Sequence, residues 1–391
     1  MAEKLKIIFV SHTYMGGTYV VGSHHLASQL RKMGHDVLHI STPVTPFHWL
    51  NKKTRKENQD RFQLWRKWKS FNRDEVKNIV PLSLFPWKIS NKIYRKFKIN
   101  LTTEMICFPS LKTITDYYEF RDADVVFIDQ PNFVGIEKKL EGKVKIYRAT
   151  DLYSQMSEDD SITIAESQVL SRMHGLIGTS MPVLEHLQSL SLNLPGLLME
   201  NGVEYSHFNV QSEEPEDMKA IPHPRAIYIG AMDKRLDVDS LIRLASAKPD
   251  LSIILIGRDH LNFAERVSNI KNIYFLGQRS YQHIPYYLNA CEIGLLPLSS
   301  HESNHGRSPM KLYEYGAAGL AVVSKKSAEI ERRKEEFIFL YDNDTEFIRK
   351  ISEALVYQKK HRKIIKTMVS KHSWEYKTEE LMQFVEQISY G

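Results

Sequence analysis

Apolar residues in this chain gather in short, near-continuous runs rather than in long alternations. The first half carries KIIFVSH, DVLHIST, ADVVFIDQ, VKIYRATD and GLIGTS; the second carries AIYIGAM, LSIILIG, NIYFLGQ, IGLLPLS and AVVS. Apolar runs of roughly four to eight residues, bounded by polar turns, read as strands buried on both faces, the habit of parallel sheets. Between them, 3.6-residue periodicity predicts helices near 23–32, over 162–173 and after Met181. Strand and helix alternate in both halves, which predicts an α/β protein made of two Rossmann-like domains facing a cleft.

The pattern lapses once in mid-chain. NGVEYSHFNVQSEEPEDMKAIPHPR is acidic, proline-bearing and without sustained period, the marks of a connection. We therefore expect an N-terminal domain over 1–205, a linker over 206–224, a C-terminal domain over 225–370, and a last helix over 371–391 packing back on the N-terminal domain. Two domains also suit a chain of 391 residues, since single cores stop growing at about 250–300.

Composition changes this picture little, because 42% apolar and 26% charged residues are ordinary for a folded protein. No apolar run reaches the roughly 20 residues of a membrane span. MAEKLKIIFVSH enters a strand directly, its apolar part too short for a signal peptide. Cys107 and Cys291 lie in apolar contexts far apart, which reads as reduced core thiols and a cytoplasmic protein.

Charge changes it more. Residues 47–98 hold 15 Lys or Arg against 4 Asp or Glu, a balance of +11, so the rest sums to −5 in a chain of +6. The same stretch holds ten of the aromatic residues, including Trp49, Trp65, Trp68 and Trp87 of the five tryptophans. A solvated face over core aromatics and a single-strand nucleic-acid surface share this composition. Lysine with tryptophan also suits an anionic membrane surface, and we expect that partner and no nucleic acid.

Several nucleotide and metal motifs are missing or misplaced. SHTYMGGTYVVGS lacks the G-x-G-x-x-G spacing, and DVLHIST ends without the acidic residue that would hold an NAD ribose. No G-x-x-x-x-G-K-[ST] occurs. His301–His305 spells H-E-x-x-H, but it lies among serines, an asparagine and a glycine in what reads as loop. A zincin site needs that string on a helix. RDAD at 121–124 is the polar entry to a strand. We expect no metal ion and no bound cofactor.

The most informative short stretch is SPMKLYEYGAAGLAVVS, 308–324. Ser308 reads as a helix N-cap and Pro309 as the first helical residue. Lys311 then falls in the first turn, where acids are favoured and a lysine is out of place unless an anion sits on it. Lys311 and Glu314, three apart, share one face. A solvent-exposed ion pair is the plain reading of that spacing. A cation for a diphosphate beside a carboxylate for a ribose diol is the functional one.

This stretch resembles the donor-nucleotide helix of GT-B glycosyltransferases. YIGAMDKRLDVDSLIRLA, LIG, FLGQRSY and IGLLPLS stand in that family's C-terminal order, and NGVEYSHF is similar to its domain hinge. The resemblance implies that Lys311 neutralises the donor diphosphate and Glu314 binds the ribose. It implies that Met232 and Met310 line the nucleotide pocket, Arg235 is a second diphosphate cation, and the loop at Gly277–Arg279 borders the base. Such cations stand in for a metal, since the departing diphosphate needs its charge neutralised.

The chain departs from the family in one place. Retaining members of the GT-4 group commonly carry a glutamate eight residues before the position of Glu314, where this chain has Gly306. Inverting transfer instead needs a base for the acceptor hydroxyl. YRATD, GSHHLASQLRKMGHDV and MKLYE resemble GumK-type glucuronosyltransferases of exopolysaccharide synthesis and glycosyltransferases of teichuronic-acid synthesis. That subfamily uses an aspartate base at the position matching Asp151, a residue that could equally cap the next helix. His12 and His24 are rival acceptor-side residues.

The expected activity is inverting, metal-independent transfer of a sugar from a UDP-sugar to a lipid-linked or polysaccharide acceptor. Glucuronic acid is the sugar the resemblance suggests. The protein would sit on the inner face of the membrane. A UDP-sugar 2-epimerase and a catalytically silent sugar-nucleotide binder are the alternatives, and UDP release with and without a lipid extract separates the three.

Overall fold

Valine, isoleucine and leucine at consecutive positions give strands with both faces to bury, and each of the ten apolar runs forms one. The computed structural model describes residues 3–17, 20–50, 55–70, 75–84, 86, 89, 92–93, 96–97, 107–131, 135–156 and 161–390. These fall into two units, 1–200 with 377–391, and 201–376.

The first unit is built on a seven-stranded sheet. Its spatial order is Lys77–Ile79, Asp36–Ser41, Lys6–Ser11, Ala123–Ile128, Gly142–Ala149, Gly175–Gly178 and Gly196–Leu198. All neighbours are parallel, with Phe9 opposite His39 on one side and Phe127 on the other. The second unit has six parallel strands in the order Ile273–Gly277, Ser252–Ile256, Arg225–Ile229, Ile293–Leu296, Ala321–Lys325 and Ile338–Tyr341. In both sheets the chain runs outward from the unit's first strand, then returns to that strand's other side. Ligands of such sheets bind beyond the carboxyl ends of the strands flanking that reversal. In the first unit those ends are Ser11 and Ile128; in the second, Ile229 and Leu296.

Three edge strands were not foreseen: Lys77–Ile79, Gly196–Leu198 and Ile338–Tyr341. Each is four residues or fewer, too short to show a pattern. The segment expected as a linker, 206–224, lies inside the second unit. Phe208, Met218 and Ile221 are core residues there, and the carbonyls of Met218 and Ile221 accept hydrogen bonds from the buried Arg225 guanidinium. An arginine that must be satisfied internally holds an otherwise patternless segment in place. The last helix, Trp374–Tyr390, begins in the second unit and passes into the first.

Part of the basic stretch is also built in. In the helix Arg55–Arg66, Trp65 donates its indole N–H to the Phe108 carbonyl at 2.8 Å. Trp68 packs edge-on against Tyr117 and Tyr118. Phe47 and Phe97 are exposed. Trp87 and the Trp49 side chain lie outside the described residues. Cys107 and Cys291 are buried free thiols, and among the described residues no helix is long and apolar enough to cross a membrane.

Candidate functional site

Tyr315 fixes the helix Lys311–Ala317 on the second sheet. Its ring crosses Gly294, where a Cβ would stand 2.2 Å from it, and its hydroxyl accepts the Ile229 N–H at 2.9 Å. At Gly316 a Cβ would stand 2.6 Å from Val369 and 2.9 Å from Phe337. The helix is therefore clamped through its aromatic and glycine side. Lys311 and Glu314 make an ion pair at 2.7 Å, with the lysine side chain 32% exposed and the glutamate 4%. Burial raises the pKa of Tyr281, and the charges of Glu314 and Glu204 add to it. The Tyr281 hydroxyl donates to Glu204, and its ring stacks on His207.

The helix starts later than the sequence suggested. Its first residue is Lys311, preceded by Met310, and Ser308 does not cap it. The Ser308 hydroxyl instead accepts the Asn201 backbone N–H at 3.1 Å and an Arg333 N–H at 2.9 Å, while Asn201 Nδ2 donates to the Ser308 carbonyl. Arg333 also donates to the Tyr313 hydroxyl and pairs with the buried Glu329. A nonlocal arginine outcompeted the local cap, and sequence reading had no signal for it.

The remaining donor-side residues divide. Arg235 is held by Asp233 through Nε at 2.9 and 3.1 Å and through a second N–H at 2.5 Å. Its carbonyl accepts from Ser299 N–H and Asn304 Nδ2, which joins this loop to the one leading into Lys311. Arg307, passed over in the sequence, acts electrostatically on both Asp233 and Tyr228. Met232 is buried in the core and Met310 is half-buried at the helix start. Arg279 pairs with Asp217 at 2.7 Å and donates to the Tyr287 hydroxyl. The H-E-x-x-H string is a single 3-10 turn, with His301 Nδ1 accepting from Ser303.

The first unit gathers a second group at its strand ends. Asp151 follows the strand Gly142–Ala149 and is half-buried. Its neighbour Thr150 lies 3.4 Å from Asp151 Oδ2 through Oγ1, and 2.9 Å from the Tyr153 hydroxyl. Tyr153 donates onward to the Asp129 carbonyl at 2.7 Å, and Thr179 donates to the Thr150 carbonyl. Beneath them Arg148 donates to Asp129 Oδ2 at 2.8 Å, both side chains being buried. Burial outweighs the arginine and leaves the Asp129 pKa above the ordinary carboxylate value. The 129–148 pair is invisible in sequence, because the two residues lie on different strands and nothing local links Asp129 to the Arg148 of YRATD.

His24 and His39 meet edge-on, ring centroids 5.1 Å apart, and His24 Nε2 contacts the Thr13 carbonyl at 3.3 Å. Burial lowers the pKa of His24 to about 4 and holds fully buried His39 well below its ordinary value. His12 is solvent-accessible, and its pKa is lowered by surrounding protein and the Arg148 charge. A histidine with a depressed folded-state pKa stabilises most above about 6.5, its unfolded value, and loses that stability as pH falls. The melting-temperature gap between wild type and His24→Asn should therefore shrink from pH 6.5 to about 4. A gap that widens over that range would show His24 to be charged in the fold.

Residues 223–356, within the second unit, match the family described as glycosyl transferases group 1. A protein of Bacillus subtilis named as a teichuronic acid biosynthesis glycosyltransferase, TuaH, is 26% identical over 184 residues. That match covers 43% of this chain and 46% of the relative, so the chain spans about half the length of the curated relative it matches. Sucrose-phosphate synthase from Thermosynechococcus elongatus is similar in structure, at 14% identity and a TM-score of 0.68, over 98% of this chain and 99% of that one. HepE of Anabaena, solved with UDP and glucose, matches at 13% identity and a TM-score of 0.65, over 98% of this chain and all of its own. A glycosyltransferase from Rickettsia africae matches at 16% identity and a TM-score of 0.67, over 98% of both chains. The fold is that of the GT-B glycosyltransferases, two Rossmann-like α/β units.

Proposed function

We propose that this chain is an inverting, metal-independent glycosyltransferase that moves a sugar from a UDP-sugar to a lipid-linked or polysaccharide acceptor in cell-surface polysaccharide synthesis. Glucuronic acid is the sugar we would test first. The observation that carries the reading is the Lys311–Glu314 pair on a helix clamped by Tyr315, within the segment matching the group 1 family. In this reading Lys311 faces the diphosphate and stabilises the leaving UDP, and Glu314 accepts from the ribose hydroxyls. Asp151 takes the proton of the attacking acceptor hydroxyl. The basic residues of 47–98, with exposed Phe47 and Phe97, would meet the anionic inner membrane face. The UDP complex of HepE supports the choice of nucleotide.

Lys311→Ala should weaken UDP binding about tenfold or more, since a charge-assisted hydrogen bond is worth roughly 1.5–3 kcal/mol. Glu314→Gln should weaken it less, and transfer should persist in EDTA. Calorimetry decides the first point. A lysine needed only to neutralise Glu314 would cost stability and leave UDP affinity unchanged, which would sink the reading.

A further inference from the structure

The helix Asp344–Ser370 changes character halfway along. Its first half balances its charges: Asp344 pairs with Arg243, and Glu353 takes both Arg349 and Lys350 at 2.6 and 2.7 Å. From 354 to 374 there is no Asp or Glu, while Lys359, Lys360, Arg362, Lys363, Lys366 and Lys371 all fall there.

The buried side of this half carries Ala354, Ile365 and Val369, with Gln358 donating to the Gly319 carbonyl. The outward side carries Val356 (58% exposed), Lys359, Lys360, Lys363 and Ile364 (48% exposed). At 100° per residue these positions form one continuous stripe. Among the described residues Lys359, Lys360 and Lys363 have no acidic partner. Arg362 donates to the Asn289 carbonyl, and burial, with a contribution from the Arg362 charge, lowers the pKa of Lys366. Lys371 pairs with Glu335 at 3.5 Å, whereas the three outward lysines are crowded together with no acidic partner among the described residues.

Helix-dipole complementarity accounts for cations in the final turn only. Lys359, Lys360 and Lys363 lie further back and need another reason. The stripe is lysine with exposed aliphatics. Protein interfaces are depleted in lysine and enriched in aromatics and arginine. Single-strand nucleic-acid sites stack bases on aromatic rings. Point charges beside short aliphatic chains instead suit a diffuse anionic surface with an apolar layer beneath.

We propose that the outward face of residues 356–364 is a docking surface for anionic phospholipid, in the second unit and separate from the basic stretch of the first. Each lysine near such a surface is worth about fivefold in partition, so three are worth on the order of a hundredfold.

The test is co-sedimentation of the full chain with phosphatidylcholine vesicles, with and without phosphatidylglycerol. Lys359→Gln, Lys360→Gln and Lys363→Gln together should reduce binding to the anionic vesicles by about that factor, with UDP affinity and melting temperature unchanged. Ile364→Gln should weaken the binding that survives high salt. Phe47→Ala with Phe97→Ala, both exposed, serves as the first-unit arm, so failure of one surface is distinguishable from failure of the other. Unaltered vesicle binding in the triple variant would overturn the proposal. So would equal binding of wild type to neutral vesicles, or a triple variant that loses only RNA or acidic-protein binding.

Discussion

Asp151→Asn should lower sugar transfer by about 10²- to 10⁴-fold, the usual contribution of a general base. The substitution keeps shape and hydrogen bonding and removes only the proton acceptor. UDP affinity should hold, because Lys311 and Glu314 belong to the other unit. Melting temperature should hold too, since Thr150, Tyr153 and Thr179 fix the surrounding loop without the carboxylate's charge. Intact folding, intact UDP binding and collapsed transfer is the expected combination. An Asp151→Asn protein that keeps more than about a tenth of wild-type transfer would place the base elsewhere, and His24 and His12 would be tested next.

Asp129→Ala should be strongly destabilising. It leaves the Arg148 guanidinium fully buried with its counter-charge gone. Breaking a buried pair by removing one partner costs about 3–5 kcal/mol. In a unit of this size that is roughly 10 °C of melting temperature. Replacing both partners, as Asp129→Leu with Arg148→Met, should recover much of the loss because no lone charge remains. Calorimetric scans of the three proteins settle it. A single variant that melts with the wild type would mean the arginine finds water or another acceptor. Transfer by the double variant would show whether the pair also positions Asp151 through Tyr153.

The order of strands was legible because parallel strands bury both faces and so write themselves as unbroken apolar runs. The Lys311–Glu314 ion pair was legible for a similar reason: a helix brings residues three apart together, and the sequence displays that spacing. What escaped was nonlocal. Ser308 has the composition of a cap, but Arg333 and Asn201, far away in sequence, took its hydroxyl. Arg235, read as a second diphosphate cation, is by contrast paired with a local partner, Asp233, two residues away. Arg279 turned out to pair with Asp217, in the segment that had looked like an unstructured linker. Local pattern specifies elements, whereas the partner of a charge depends on which elements the fold brings near it.

The tail of the chain has a consequence for biosynthesis. Gly175 starts an inner strand of the first sheet, and a Cβ there would stand 2.4 Å from Ile388 and 3.3 Å from Phe384. Those two residues belong to the last fourteen or so of the helix Trp374–Tyr390, which complete the first unit. A ribosome therefore delivers nearly all of the first unit, then the whole of the second, before the piece that covers Gly175 emerges. At roughly 5–20 residues per second, the first sheet waits on the order of ten seconds or more with that apolar face uncovered. Chaperone occupancy should concentrate in that interval. Nascent chains arrested just before the final helix should be more protease-sensitive in the first unit than in the second.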